Sequence, residues 1–212
     1  MQHTATSLLH RLLARGKFRH AQVLLQLVYL VPMVLPILRG DAIGPALGAG
    51  LTLLSSSLTG SLTWIVISAE DAPDLLLSAP ASRRTLQLAK LAAATMPALL
   101  IVALPLLWLI VHAPLTGLLF AFTVSAAVLS AGLIVLWTGR PAPRSDFKTR
   151  GKGNFLSTML ELISSLCWGG LGWLLVHVAA GAASWVLFAA AAALATGLGV
   201  LLLAWQLRHR PM

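Results

Sequence analysis

The chain has 212 residues, of which 58% are apolar and only 10% charged, and its mean hydropathy is +0.88. A soluble domain carries about 25% charged residues, so this composition excludes a water-wetted surface and implies an integral membrane protein. The formal net charge of +9 would suggest a nucleic-acid partner in a soluble protein; here basic residues gathered beside apolar spans follow membrane topology instead, and no nucleic-acid partner is expected.

Residues 1–20 are read as an amphipathic interfacial helix. Leu8, Leu9, Leu12 and Leu13 fall on one helical stripe and Arg11 and Arg15 on another. That pattern suits an apolar face in the acyl chains and a cationic face towards anionic lipid; the alternative is an extra turn or two on a disordered tail. The same residues do not read as a cleavable signal, because His10, Arg11 and Arg15 interrupt the leucines.

A helix needs about 20 apolar residues to cross roughly 30 Å of hydrocarbon. Six segments within residues 21–206 meet that length: 21–38, 43–67, 91–111, 115–137, 155–178 and 182–205. The fold class is therefore all-α, a polytopic six-helix transmembrane domain. Prolines 32, 36, 97 and 105 lie within spans, where lipid-buried helices tolerate them if neighbouring groups satisfy the freed carbonyls. Ser55, Ser56, Ser57, Gly60 and the frame from Gly44 to Gly48 allow the second span to approach another helix closely, as "CWGGLGW" does in the fifth. Packing within one bundle explains these small residues more simply than dimerisation. The one cysteine, Cys167, lies in an apolar run, so no intrachain disulfide forms.

Orientation follows from the positive charges. With six crossings, Arg11, Arg15, Lys17, Arg19, Arg83, Arg84, Lys90, Arg140, Arg144, Lys148, Arg150, Lys152, Arg208 and Arg210 all fall on one side, and only Arg39 falls on the other. Basic loops stay cytoplasmic. Both termini, the loop at 138–154 and the basic tail at 207–212 are accordingly expected on the cytoplasmic face.

The connector at 69–85, within "SAEDAPDLLLSAPASRRTLQLAK", holds half of the carboxylates of the chain. Asp71 can cap a short helix whose first turn contains Pro73, and Asp74 adds charge that favours a helix N-terminus. Leu75, Leu76 and Leu77 give that helix an apolar body and Pro80 ends it; Ser82 then caps a second helix carrying Arg83, Arg84 and Lys90 into the third span. The short helix would span about 8 residues, or roughly 12 Å. Pinned to a span at each end, it would move both spans when pushed. Acids contribute little to topology, so one reading is a docking surface for another protein; the other is a solvated loop whose leucines dip into the interface.

The stretch "EDAPDLLLSAPASRRTLQLAK" resembles the loop between the second and third spans of type-2 ABC exporter permeases. There an acidic start, a Leu-Leu pair, a small-residue–Pro step, Ser-Arg and a later Lys recur in order, as Glu70, Asp74, Leu75, Leu76, Pro80, Ser82, Arg83 and Lys90 do here. The run "RPAPRSDFKTRGKGNFLSTMLELISSL" is similar to a segment of bacterial permeases, and the six-span topology with an amphipathic helix ahead of it is similar too. The resemblance implies the membrane subunit of an ABC exporter in a bacterial inner membrane, working by alternating access. It implies as partners a separate ATPase that holds the ATP and a second membrane half, either another copy or a paired permease. It assigns coupling to the ATPase to Glu70, Asp71, Asp74, Leu75, Leu76, Pro80, Ser82 and Arg83. The alternative class is a non-transporting scaffold or accessory subunit.

No GxxxxGK[ST], HExxH, paired CxxC or GxSxG occurs, and the six histidines are spread over tails and span ends. No enzyme activity, cofactor or metal is therefore expected in this chain. Glu161 is the only acid within a span, seven residues beyond Asn154, and an intramembrane ionisable group is by default a functional candidate. It either faces a transport path or an interface, helped by Ser157, Ser164 or Ser165, or sits at headgroup depth paired with Lys152 or Arg150. His177, near the outer end of the same span, is a weaker candidate for an outer gate.

Overall fold

A computed structural model of the protein describes Val28 and residues 45–68, 83–139 and 155–208, and everything in that set is helix or tight turn. Five helices result: α1 Pro45–Ser68, α2 Arg83–His112, α3 Pro114–Thr138, α4 Phe155–Ala179 and α5 Trp185–Leu207. Each is long and apolar enough to cross a membrane. The interfacial helix expected at 1–20, the first span apart from Val28, residues 69–82 of the connector, the basic loop from 140 to 154 and the tail after 208 lie outside the described residues.

Four of the predicted apolar spans shift by only a few residues, and the third is extended by the helix expected after Ser82. Helix α2 starts at Arg83, eight residues ahead of the apolar span, and runs for 30 residues, with Pro97 and Pro105 inside it and no break. At 1.5 Å per residue it is about 45 Å long, more than hydrocarbon alone requires. Its first two turns carry exposed Arg84, Thr85, Gln87 and Leu88, so they stand at the polar boundary as an extension of the span. Only Ala113 separates α2 from α3. Its N–H donates to the Leu109 carbonyl at 2.8 Å, and Pro114 opens α3, a position where the missing N–H costs nothing.

Helix α3 lies at the centre and packs against all four others. The remaining pairs place α2, α3 and α5 in one row and α1 and α4 in a second, with α2 and α5 as the outer flanks. Phe120, Val124 and Val128, one turn apart on α3, are fully buried against Leu51 and Leu58 of α1 and Ala98, Val102, Leu106 and Leu109 of α2. Ile134 of α3 meets Leu160 of α4 and Val200 and Ala204 of α5. Leu100, Leu104, Leu107 and Val111 on α2, and Leu187, Phe188 and Leu202 on α5, remain exposed, as lipid-facing positions of a membrane bundle should.

These contacts fix direction. Gly48 meets Phe120 while Gly132 meets Thr59, so α1 and α3 run parallel; Gly169 meets Leu53 while Gly60 meets Glu161, so α1 and α4 run antiparallel. One end of the bundle therefore gathers Ser68, Arg83, Thr138, Phe155 and Leu207, and the described Lys and Arg residues (Arg83, Arg84, Lys90 and Arg208) all lie at that basic end. The turns at the other end, Ala113 and residues 180–184, carry no charge.

Tryptophan marks both boundaries. Trp185 and Trp205 on α5 are 20 residues apart, about 30 Å of helix, which matches the hydrocarbon thickness. Trp108 and Trp173 join Trp185 at the uncharged end, and Trp137 joins Trp205 at the basic end, the arrangement of aromatic belts. At the basic end the Arg208 guanidinium lies 4.7 Å from the Trp205 ring centre and 5.9 Å from that of Trp137. At the other end, His112 Nδ1 donates to the Trp108 carbonyl at 2.9 Å and His177 Nδ1 to the Trp173 carbonyl at 2.8 Å.

Candidate functional site

Hydroxyl side chains line the inward face of α1. Thr52, Ser55, Thr59 and Thr63 each donate to the carbonyl four residues earlier, at 2.7 to 2.9 Å. This back-bonding lets a hydroxyl-rich helix cross an apolar layer without orphaned donors. Ser56 is different. Its Oγ lies 2.5 Å from Ser165 Oγ of α4, a hydrogen bond between helices, and Ser165 also donates to the Glu161 carbonyl at 2.7 Å.

One turn from that pair towards the basic end lies Glu161, only 6% exposed. Its carboxylate occupies the space beside Gly60 of α1 where any other residue would place a Cβ. The absence of a side chain at Gly60 therefore creates the niche. Glu161 is six residues into α4 and Gly60 eight residues from the end of α1, so the niche lies about 9–12 Å inside the basic end. Ser157 and Ser164 of the same helix are buried as well. The outward face of α4 carries exposed Leu162, Ile163 and Leu166, so Glu161 points into the bundle.

The sequence reading is thus met in part. Glu161, Ser165, Ser56 and Gly60 come together between α1 and α4, and the small residues of α1 and of "CWGGLGW" serve packing within one bundle, as Gly169 against Leu53 and Gly172 against Thr123 show. Glu161 is buried in the seam between α1 and α4; Lys152 and Arg150, its partners in the second reading, lie outside the described residues. His177 uses Nδ1 on its own helix. The coupling residues Glu70, Asp71, Asp74, Leu75, Leu76, Pro80 and Ser82 lie outside the described residues, and Arg83 is the first residue of α2. The Ser56–Ser165 pair and Gly60 as the counterpart of Glu161 were not read from sequence, since helix rotation decides which small residue meets which. Among the described residues no three His, Cys, Asp or Glu side chains gather as metal ligands.

No family model matches the chain, and neither a curated protein nor a solved structure matches it.

Proposed function

We propose that this protein is the membrane-spanning subunit of an ABC exporter of a bacterial inner membrane, with the basic end cytoplasmic. A separate ATPase drives it, and it works with a second membrane half, a copy of itself or a paired permease. Anionic lipid neutralises the basic loop at 138–154 and the interfacial segment at 1–20. The observation that best supports this reading is the continuity of α2. The acidic, leucine-bearing connector joins α1 at Ser68 to a helix that runs without a break from Arg83 through the bundle, and α1 and α2 both pack on the central α3. A push on the connector would reach two spans through stiff helix, and α1 in turn bears on the Glu161 niche. In this account Glu70, Asp71, Asp74, Leu75, Leu76, Pro80, Ser82 and Arg83 form the ATPase contact and Glu161 lies on the transport path.

Changing Asp74, Leu75 and Leu76 together to Ala tests the assignment. The variant is expected to remain a folded membrane protein and to lose co-purification with the ATP-binding-cassette ATPase encoded beside it. Retention of both ATPase binding and transport would overturn the coupling role.

A further inference from the structure

The two ends of the bundle put different groups beside their boundary tryptophans. At the basic end the companion of Trp205 and Trp137 is the Arg208 guanidinium. At the uncharged end one five-residue pattern occurs twice: "WLIVH", Trp108 to His112, closes α2, and "WLLVH", Trp173 to His177, lies near the end of α4. Four residues make about one helical turn, so each imidazole leans back over the indole before it. The Trp108 and His112 rings stack with centres 4.0 Å apart, and those of Trp173 and His177 lie 4.1 Å apart. Helices α2 and α4 do not pack on each other, so these are two separate copies of one arrangement.

The hydrogen bonds decide which nitrogen faces a partner. A backbone carbonyl only accepts, so His112 Nδ1 and His177 Nδ1, 2.9 and 2.8 Å from the Trp108 and Trp173 carbonyls, each carry a hydrogen. In the neutral ring Nε2 is then the acceptor. His112 and Trp173 are exposed, and Trp108 and His177 are half-buried, so both pairs reach the boundary layer. Each pair carries one acceptor, the imidazole Nε2, and one donor, the indole N–H. Among the described residues no Lys, Arg, Asp or Glu lies at this end, and no fixed charge of theirs selects an anionic headgroup there. A zwitterionic headgroup with a primary ammonium matches what is offered. Its N–H donates to Nε2, its phosphate accepts from the indole N–H, and the indole ring attracts the same cation.

We propose that the Trp108–His112 and Trp173–His177 pairs are two binding sites for a zwitterionic phospholipid with a primary ammonium, of the phosphatidylethanolamine type. With the basic end cytoplasmic, these lipids belong to the outer leaflet; the sites themselves require neither an ATPase nor transport. A guanidinium beside the indoles, as Arg208 provides at the basic end, repels an ammonium and attracts phosphate, so the two ends of the bundle select different headgroups.

Native mass spectrometry of the purified chain, loaded with phospholipids of identical acyl chains, tests the sites. Phosphatidylcholine keeps the charges of phosphatidylethanolamine and lacks its N–H donors, so it is expected to be retained roughly fivefold less, the worth of about one hydrogen bond. The double variant His112→Phe, His177→Phe keeps an aromatic ring over each indole and removes both acceptors. It should lose two phosphatidylethanolamine molecules and the preference over phosphatidylcholine, while retention of phosphatidylglycerol, held at the basic end, stays unchanged. Equal retention of the two zwitterions by the unaltered chain overturns the proposal, as does a preference that survives in the double variant. An equal fall in phosphatidylglycerol would show that the histidines recognise phosphate, and overturns it too. If the double variant fails to fold, each single variant is expected to lose one phosphatidylethanolamine, and any other pattern overturns the proposal.

Discussion

Gly48 shows how closely single residues are fitted in this bundle. A Cβ there would meet three atoms of the Phe120 ring, and Phe120 is itself fully buried between α1, α2 and α3. A ring in a closed interior has little room to turn, so Gly48→Ala should cost about 1–3 kcal/mol and lower the melting temperature of the purified protein. Gly199 is its counterpart: it lies inside α5 with nothing within 4 Å of its Cβ direction. There Gly199→Ala replaces a residue that weakens a helix by about 0.5–1 kcal/mol relative to Ala, and the melting temperature should hold or rise. Equal losses at the two positions would contradict the packing described. Sequence could not make this distinction, because both are glycines in apolar helical segments and only helix rotation separates them. The depth of Glu161 could be counted from Asn154, but its direction could not, since the neighbouring serines fit a helix seam and a headgroup-facing start alike.

Among the elements, α2 is the one on whose length the proposed coupling depends. Hydropathy reports where hydrocarbon begins, not where the helix begins. The basic stretch Arg83 to Lys90 was therefore separable from the apolar span in sequence, although Ser82 already signalled a helix start ahead of it. The other boundaries were legible to within a few residues, because Pro114 and the small uncharged turn at 180–184 punctuate long apolar runs. If α2 is a stiff lever, its exposed first turns are the place to break it. Two glycines inserted between Arg84 and Thr85 should cost helix stability of order 1 kcal/mol each while leaving the connector sequence intact. In proteoliposomes, the variant is expected to keep its ATPase and to lose most of the coupling between nucleotide hydrolysis and transport. Unimpaired coupling would show that force does not travel through α2.

At the scale of the whole molecule, the three-plus-two arrangement of helices around α3 could not be deduced from the chain. Every span is apolar on most sides, and lipid leaves no polar face to orient each helix. The gathering of basic residues was legible, because Arg83, Arg84, Lys90 and Arg208 come together at one end in space as they do on one side by counting. The first span and the connector, which carry the rest of the topology, lie outside the described residues. The measurement that tests the central claim most directly is impermeant-maleimide labelling of two single-cysteine proteins, Ser78→Cys in the connector and Ser184→Cys in the α4–α5 turn, each with Cys167→Ser. In intact cells the account predicts that Ser184→Cys reacts from outside, while Ser78→Cys reacts only after the cytoplasmic face is opened. Labelling of Ser78→Cys in intact cells would place the connector on the far side from any ATPase and contradict the exporter account.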